Sequence, residues 1–383
     1  MRQRWRFIGT GLLVAATVVL AWQPARVAVQ TAFLVPSILD AGPRPLDWLT
    51  APPHRQTLAW RTDATGEPDL ADLWLPPTAA ASRPHGAILL VLGVNNVGRG
   101  YPAVVRLADA LARTGVVVMV PDSRVLLGGR VDAGEIDGVV EAFELLAARS
   151  EVDPERVGIV GLSVGGALAL LAAADARIAA DVRWVNAFGS YADAPRFLAN
   201  VMARAYRGAD GELTAWQPAQ LARDLSFGML LDLVADAGDR AALDAAYGIP
   251  IRAGERPSRD AGLALTSAAA RVVERLVLAD DLPAAEAAVA ALPPSGRATL
   301  AALTPAGRMS GLEARVFLMH DASDAYVPYV ESRVLAAELG EAAKLTEFRL
   351  FDHVEPKGID LGAAAPEAWR LLWHIQGVLA ETL

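Results

Sequence analysis

A serine on a predicted sharp turn is the residue of this sequence best placed to do chemistry. The motif Gly161-Leu162-Ser163-Val164-Gly165 follows an apolar run at 156–160 and precedes a helix-forming run at 167–174. A G-x-S-x-G sequence between a strand and a helix is typical of a nucleophile elbow, which holds the serine hydroxyl out of the sheet. The two glycines leave room for the turn because they carry no Cβ atom. Ser163 is therefore the candidate nucleophile, beside a helix N-terminus that favours negative charge.

A serine hydroxyl needs a general base near neutral pH, and that base needs a carboxylate to orient it. The chain has five histidines. His353 follows the last predicted strand, at the sheet edge where ligands of open parallel sheets bind. The others stand in a predicted linker, before a strand at the opposite edge, at the end of a strand and inside the last helix (His54, His85, His320 and His374). His353 is therefore the candidate base.

The candidate acid stands in the segment that follows the penultimate predicted strand. Asp324 is the preferred carboxylate of that segment and Asp321 is the alternative. Two weaker candidates are Asp352 and Asp360. Either preferred residue also fits a cap for the helix that follows, because aspartate is a favoured N-cap residue.

The order of these candidates carries a family resemblance. Ser163, Asp324 and His353 follow one another as nucleophile, acid and base do after a nucleophile elbow. The segment His320-x-x-x-Asp324-x-x-Val327-Pro328 is similar to the H-G-x-x-D-x-x-V-P acid loop of α/β-hydrolases, with Asp321 in place of the glycine. The chain resembles that family, and its details are most similar to dienelactone-hydrolase-like and prolyl-peptidase-like members.

The resemblance implies an oxyanion hole made of two backbone N–H groups. One belongs to Val164, the residue after the nucleophile, and the other to Val94 in the loop after the third predicted strand. Leu92-Gly93 stands where family members often carry His-Gly. Two such donors each stabilise a tetrahedral oxyanion by about 3 kcal/mol.

Two polar residues near this edge are candidates for binding substrate. Asn95 would line the site, although it fits a turn equally well. Arg124 would bind a substrate carboxylate, although it also fits an ion pair with Asp122 or Asp132. No H-E-x-x-H or P-loop motif is present, so we expect neither a metal nor a cofactor.

The pattern of apolar runs predicts the fold. A hairpin within residues 56–75 is followed by strands that alternate with helices, which indicates an α/β protein with a doubly wound, mostly parallel sheet and an antiparallel N-terminal hairpin. The alternation stops for about 120 residues that are rich in Ala and Leu, which favours an inserted helical cap. The predicted parts are a signal-anchor or transmembrane segment at 1–30, a linker at 31–54, an α/β-hydrolase core at 55–190 and 311–383, and a cap at 191–310.

The N-terminal segment predicts where in the cell the protein is located. Arg2, Arg4 and Arg6 precede an uncharged, mostly apolar run at 7–22. That run is longer than most signal-peptide cores and shorter than most membrane spans. We expect a membrane anchor with the remaining chain on the extracytoplasmic side, or a secreted protein if the segment is cleaved. A buried helix of a cytosolic protein is the third interpretation.

The amino-acid composition excludes some classes of function. The 383-residue chain has a net charge of −9, which argues against nucleic acid as a partner. It has no cysteine, which excludes thiolate chemistry. The sequence therefore predicts a serine hydrolase that cleaves a small-molecule ester or related acyl substrate. An acyltransferase or peptidase with the same triad, and a catalytically silent membrane-associated scaffold, are the alternatives.

Overall fold

The computed structural model describes residues 22–62, 67–208, 210–257, 260–358 and 364–383. The apolar run that predicts a signal or anchor segment lies outside these ranges, apart from Trp22. Across the described ranges, none of the helices has both the length and the apolar character that crossing a membrane requires.

The centre of the protein is one large sheet. The strands are β1 (His54–Thr62), β2 (Pro68–Leu75), β3 (His85–Val91), β4 (Val117–Pro121), β5 (Val152–Leu162), β6 (Trp184–Phe188), β7 (Ala205–Arg207), β8 (Leu213–Ala215), β9 (Arg315–Asp321), β10 (Ala343–Phe348), β11 (Phe351–Asp352) and β12 (Glu355–Pro356). Eight of them form the sheet, in the order β1-β2-β4-β3-β5-β6-β9-β10. β2 runs antiparallel to β1 and β4, and the other neighbours are parallel. The predicted mostly parallel sheet with an antiparallel edge hairpin is confirmed.

Helices cover both faces of the sheet. They are α1 (Gln23–Ile38), α2 (Pro45–Leu49), α3 (Pro102–Arg113), α4 (Arg124–Leu127), α5 (Gly134–Ala147), α6 (Val164–Ala173), α7 (Ala194–Ala203), α8 (Gln220–Asp232), α9 (Ala237–Leu243), α10 (Ile249–Ala253), α11 (Ala268–Val277), α12 (Leu282–Ala290), α13 (Pro294–Ala302), α14 (Val330–Leu339) and α15 (Ala365–Thr382). Successive strand side chains point to opposite faces. In β3, Ile88 and Leu90 therefore pack against α1, α3 and α15, whereas Leu89 and Val91 join the cluster under α5 and α6.

The segment predicted as a linker is partly helical and packed on the core. α1 buries Val27, Leu34 and Val35, and its neighbour α15 covers the same face of the sheet. At the end of α15, the Leu383 carbonyl accepts a hydrogen bond of 3.0 Å from Arg26. Pro24 stands in the first turn of this helix, where no intrahelical N–H is needed, and Pro36 lies in its last turn.

Between β6 and β9 the main sheet gains no strand, and the described residues there are mainly helical. The short pair β7–β8 stays apart from the main sheet. The start of this region is tied to α14 by Glu331, a fully buried carboxylate that pairs with Arg196 at 2.8 Å and accepts the Ala192 N–H. The boundaries of the predicted cap stay a prediction.

Candidate active site

The strand-to-helix turn at Ser163 has the geometry that the motif predicts. Ser163 has φ 57° and ψ −128°, a region that costs an ordinary residue about 1–3 kcal/mol. Its N–H donates to the Phe188 carbonyl at 2.8 Å, which fixes the turn to β6. A Cβ atom on Gly161 would lie 2.4 Å from the Gly165 carbonyl oxygen, and one on Gly165 would lie 2.6 Å from the Leu92 oxygen. Both glycines are therefore required by the close approach of the backbone.

The candidate acid and base form a direct contact. Nδ1 of His353 lies 2.7 Å from Oδ2 of Asp324. The other oxygen of Asp324 accepts the N–H groups of Tyr326 at 2.6 Å and Val327 at 3.0 Å. Burial raises the pKa of Asp324, but the charge of His353 and hydrogen bonds from His320 and His353 outweigh burial and hold this pKa well below its usual range. An ionised Asp324 accepts the Nδ1 proton of His353, which leaves Nε2 of the imidazole as the basic atom.

His353 is held from three sides. It stands in the tight turn between β11 and β12 with φ 60°, a positive value that two-residue hairpin turns favour. The ring of Tyr326 stacks on the imidazole with centroids 4.7 Å apart. A Cβ atom on Gly189 would lie 2.9 Å from Cε1 of His353. Within the described part of the chain, the buried Nε2 atom has no hydrogen-bond partner.

Asp321, the alternative acid, has a different set of contacts. It is fully buried, and its carboxylate accepts the Ser323 N–H at 2.9 Å and the Phe351 N–H at 2.8 Å. Lys357 lies 3.5 Å from the same carboxylate. Asp321 therefore fastens the loop of Asp324 to the hairpin of His353, and the residue that replaces the family's glycine has a structural explanation.

A cavity of about 310 Å³ opens beside these side chains. Ser163, His353, Gly93 and Val94 all line it. The backbone N–H groups of Val94 and Val164 donate to no other group in the described residues. Ser163, His353 and Val94 thus lie on one cavity wall, and Val164 follows Ser163 directly in the chain. A hydroxyl, an imidazole and two N–H donors are the groups that acyl transfer requires.

The two candidate substrate-binding residues differ in outcome. Asn95 lines the cavity, but its side-chain oxygen accepts the Val97 N–H at 3.1 Å and its amide nitrogen donates to Gly93, so it also orders the loop. Arg124 does not line the cavity. Its guanidinium pairs with Glu67 at 3.0 Å and Asp69 at 3.4 Å, because α4 turns it toward β2.

The region predicted as a cap contributes little to the cavity wall. Phe227, Leu230 and Val234 are fully buried in the cluster beneath α8, and Leu221 is the one residue of 191–310 on the described cavity wall. Sequence reasoning missed Tyr326 and Gly189. Tyr326 lies inside the acid-loop motif, which is the signal that would have identified it.

Comparisons with known proteins concern the fold that surrounds this site. The family model of the acetyl xylan esterase AXE1 matches residues 136–206, which include the elbow. No curated protein matches the chain. Three similar solved structures are a putative dipeptidyl aminopeptidase IV from Bacteroides ovatus, dipeptidyl peptidase 4 of Porphyromonas gingivalis and a puromycin-hydrolysing peptidase of Mycobacterium tuberculosis. Each is 14% identical to this chain, and the TM-scores are 0.51, 0.50 and 0.51 in that order. The matches cover 87%, 87% and 89% of this chain and 36%, 36% and 41% of the respective structures.

The sheet order, the elbow and these matches define the class of fold: the chain has an α/β-hydrolase fold. It spans 36–41% of the length of the three peptidase structures, so their likeness concerns the shared fold.

Proposed function

We propose that this protein is a serine hydrolase that cleaves a carboxylic ester through Ser163, His353 and Asp324. The observation that carries the proposal is the pairing of His353 with Asp324 at 2.7 Å on the wall of a cavity that also exposes Ser163. The unpartnered Nε2 of His353 is the atom that a general base requires.

In the proposed mechanism, the Ser163 hydroxyl attacks the ester carbonyl carbon and its proton passes to Nε2 of His353. The N–H groups of Val94 and Val164 hold the resulting oxyanion. The imidazolium gives its proton to the departing alcohol, which leaves an acyl group on Ser163. Water then attacks this acyl-enzyme, its proton passes to His353, and the carboxylic acid leaves while the serine hydroxyl is restored.

The partial match to an acetyl xylan esterase model supports deacylation as the reaction. Transfer of the acyl group to another alcohol uses the same groups and differs only in the acceptor. Peptide cleavage is the second candidate, since the similar solved structures are peptidases. An ester panel, a peptide panel and product analysis in the presence of an alcohol separate these reactions.

The direct test is labelling of the full chain with a fluorophosphonate probe. We expect the wild type to be labelled and Ser163→Ala to lose the label. Ser190→Ala is the matched control, because that buried serine donates to the Tyr191 carbonyl and should label as the wild type does. A folded wild type that neither labels nor cleaves an ester would favour the silent scaffold.

We also propose that the N-terminal segment anchors the protein to a membrane or directs its export. The support is the Arg-rich start and the apolar run at 7–22. Fractionation of cells that express the full chain tests this address, and recovery in the cytosolic fraction would contradict it.

A further inference from the structure

The candidate cavity does not end at the nucleophile. Its lining includes Ile88 of β3 and Val160 of β5, on the sheet face that α1, α3 and α15 cover. Ile88 pairs with Gly158, five residues before Ser163. At about 3.3 Å per residue, the far end of the cavity therefore lies roughly 15 Å from the nucleophile along the strand.

Three helices form the opposite wall of this extension. The lining residues are Leu34 and Ile38 of α1, Ala103, Val104, Arg106, Leu107 and Leu111 of α3, and Ile375, Val378 and Leu379 of α15. The eight residue steps from Ala103 to Leu111 span about 12 Å of helix, which agrees with the depth along the strand. The wall is thus a slot between the sheet and a helical layer.

Most polar residues of the cavity lie near its mouth or are paired. Ser37 on α1 is an exception, because its buried hydroxyl has no hydrogen-bond partner in the described residues. Asp352 and Glu355 belong to the hairpin of His353, and the Tyr101 hydroxyl donates to Glu355. Arg106, the one arginine of the described lining, pairs with Asp40 at 3.4 Å. The deep part is lined mainly by aliphatic side chains, and Asn186 there pairs with His374 at 2.7 Å. A volume of about 310 Å³ falls within the range of small-molecule sites.

We infer that this slot binds the aliphatic acyl chain of the substrate, so that the enzyme prefers medium-chain acyl esters over acetyl esters. The inference rests on the proposed function, since the chain enters the slot from a carbonyl placed at Ser163. Each methylene that leaves water for the slot should raise kcat/KM about three- to fourfold. From butyrate to octanoate, this gain reaches about a hundredfold.

The test compares p-nitrophenyl acetate, butyrate, octanoate and dodecanoate as substrates of the full-length protein. Leu34→Trp places an indole in the slot, away from the reacting groups. We expect the ratio of kcat/KM for octanoate to kcat/KM for acetate to fall at least tenfold, because the indole occupies the space that only the longer chain would fill. Val27→Trp is the matched control, because Val27 is buried on the same helix but does not line the cavity. We expect it to keep the wild-type chain-length profile.

A second variant tests the inference even if Leu34→Trp does not fold. Leu34→Ala lengthens the slot and should move the preferred substrate toward dodecanoate. A wild type that labels and hydrolyses acetate at least as well as octanoate would overturn the inference and leave the proposed function standing. A wild type that neither labels nor hydrolyses any ester would overturn both.

Discussion

Gly189 touches the candidate base, so adding one methyl group there tests the assignment of His353 without altering any reacting group. Gly189 has φ +65°, and its N–H donates to the Met319 carbonyl at 2.9 Å. A Cβ atom would lie 2.9 Å from Cε1 of His353, and tolerable contacts begin near 3.4 Å. In Gly189→Ala the imidazole must therefore move by about 0.5 Å, the difference between these two distances.

The magnitude follows from two separate effects. The left-handed backbone conformation costs alanine about 1–2 kcal/mol of folding free energy. A misplacement of about 1 Å can cost a hundredfold in rate, so a 0.5 Å shift of the imidazole should lower kcat/KM about tenfold. Ester hydrolysis and the rate of fluorophosphonate labelling measure the second effect, and urea denaturation measures the first.

Gly129→Ala separates the two effects. Gly129 has φ +74°, and a Cβ atom added there would meet no atom of the described chain within 4 Å, so this variant carries the backbone strain alone. We expect both variants to lose a similar amount of stability and only Gly189→Ala to lose activity. Equal activity of the two folded variants would refute the placement of His353 in the reaction.

Three further predictions concern charged groups. Asp324→Asn should lower kcat by about 10³–10⁴-fold, whereas Asp321→Ala should chiefly cost about 1–3 kcal/mol of stability, because the Phe351 N–H loses its buried acceptor. Ester kinetics measure the first effect and denaturation measures the second. The reverse pattern would make Asp321 the acid. Burial, aided by the charge of Lys344, lowers the pKa of His374 from 6.5 to about 3. Between these two pH values the unfolded chain binds one more proton than the folded chain. The free energy of unfolding should therefore fall as the pH drops below 6.5, by up to about 1.4 kcal/mol per pH unit. Denaturation between pH 7.5 and 4.5 should show this slope shrinking in His374→Gln, and an unchanged slope would contradict it. Arg124→Ala should keep wild-type kinetics with every ester, and a raised KM would restore Arg124 as a substrate ligand.

The sequence predicted the candidate reacting groups because each of them is encoded locally. Ser163 stands in a motif of five residues, and Asp324 and His353 each follow a recognisable buried strand. The separate roles of the two aspartates did not follow from the sequence, because they depend on which backbone N–H groups each carboxylate meets after folding. The hairpin that holds His353 is likewise too short to give a strand pattern.

The walls of the cavity were not predicted, because they come from segments far apart in the chain. Helical periodicity does not state which apolar face meets the sheet. The folded chain brings α1 and α15 together, although they lie at opposite ends of the described sequence. Pro36 lies in the predicted linker and, as a residue that usually interrupts helices, further obscured α1.

The position of α1 places the reacting groups and the wall of the slot on different parts of the chain. Ser163 and His353 stand on turns at the edge of the sheet, whereas Leu34 belongs to a helix that precedes the first strand. Substitutions in that helix can reshape the slot without disturbing the turns. Under our inference, related chains with the same reacting groups can thus acquire different preferences for acyl-chain length through substitutions in α1 alone. We therefore expect sequence differences that alter substrate choice to be concentrated in this helix.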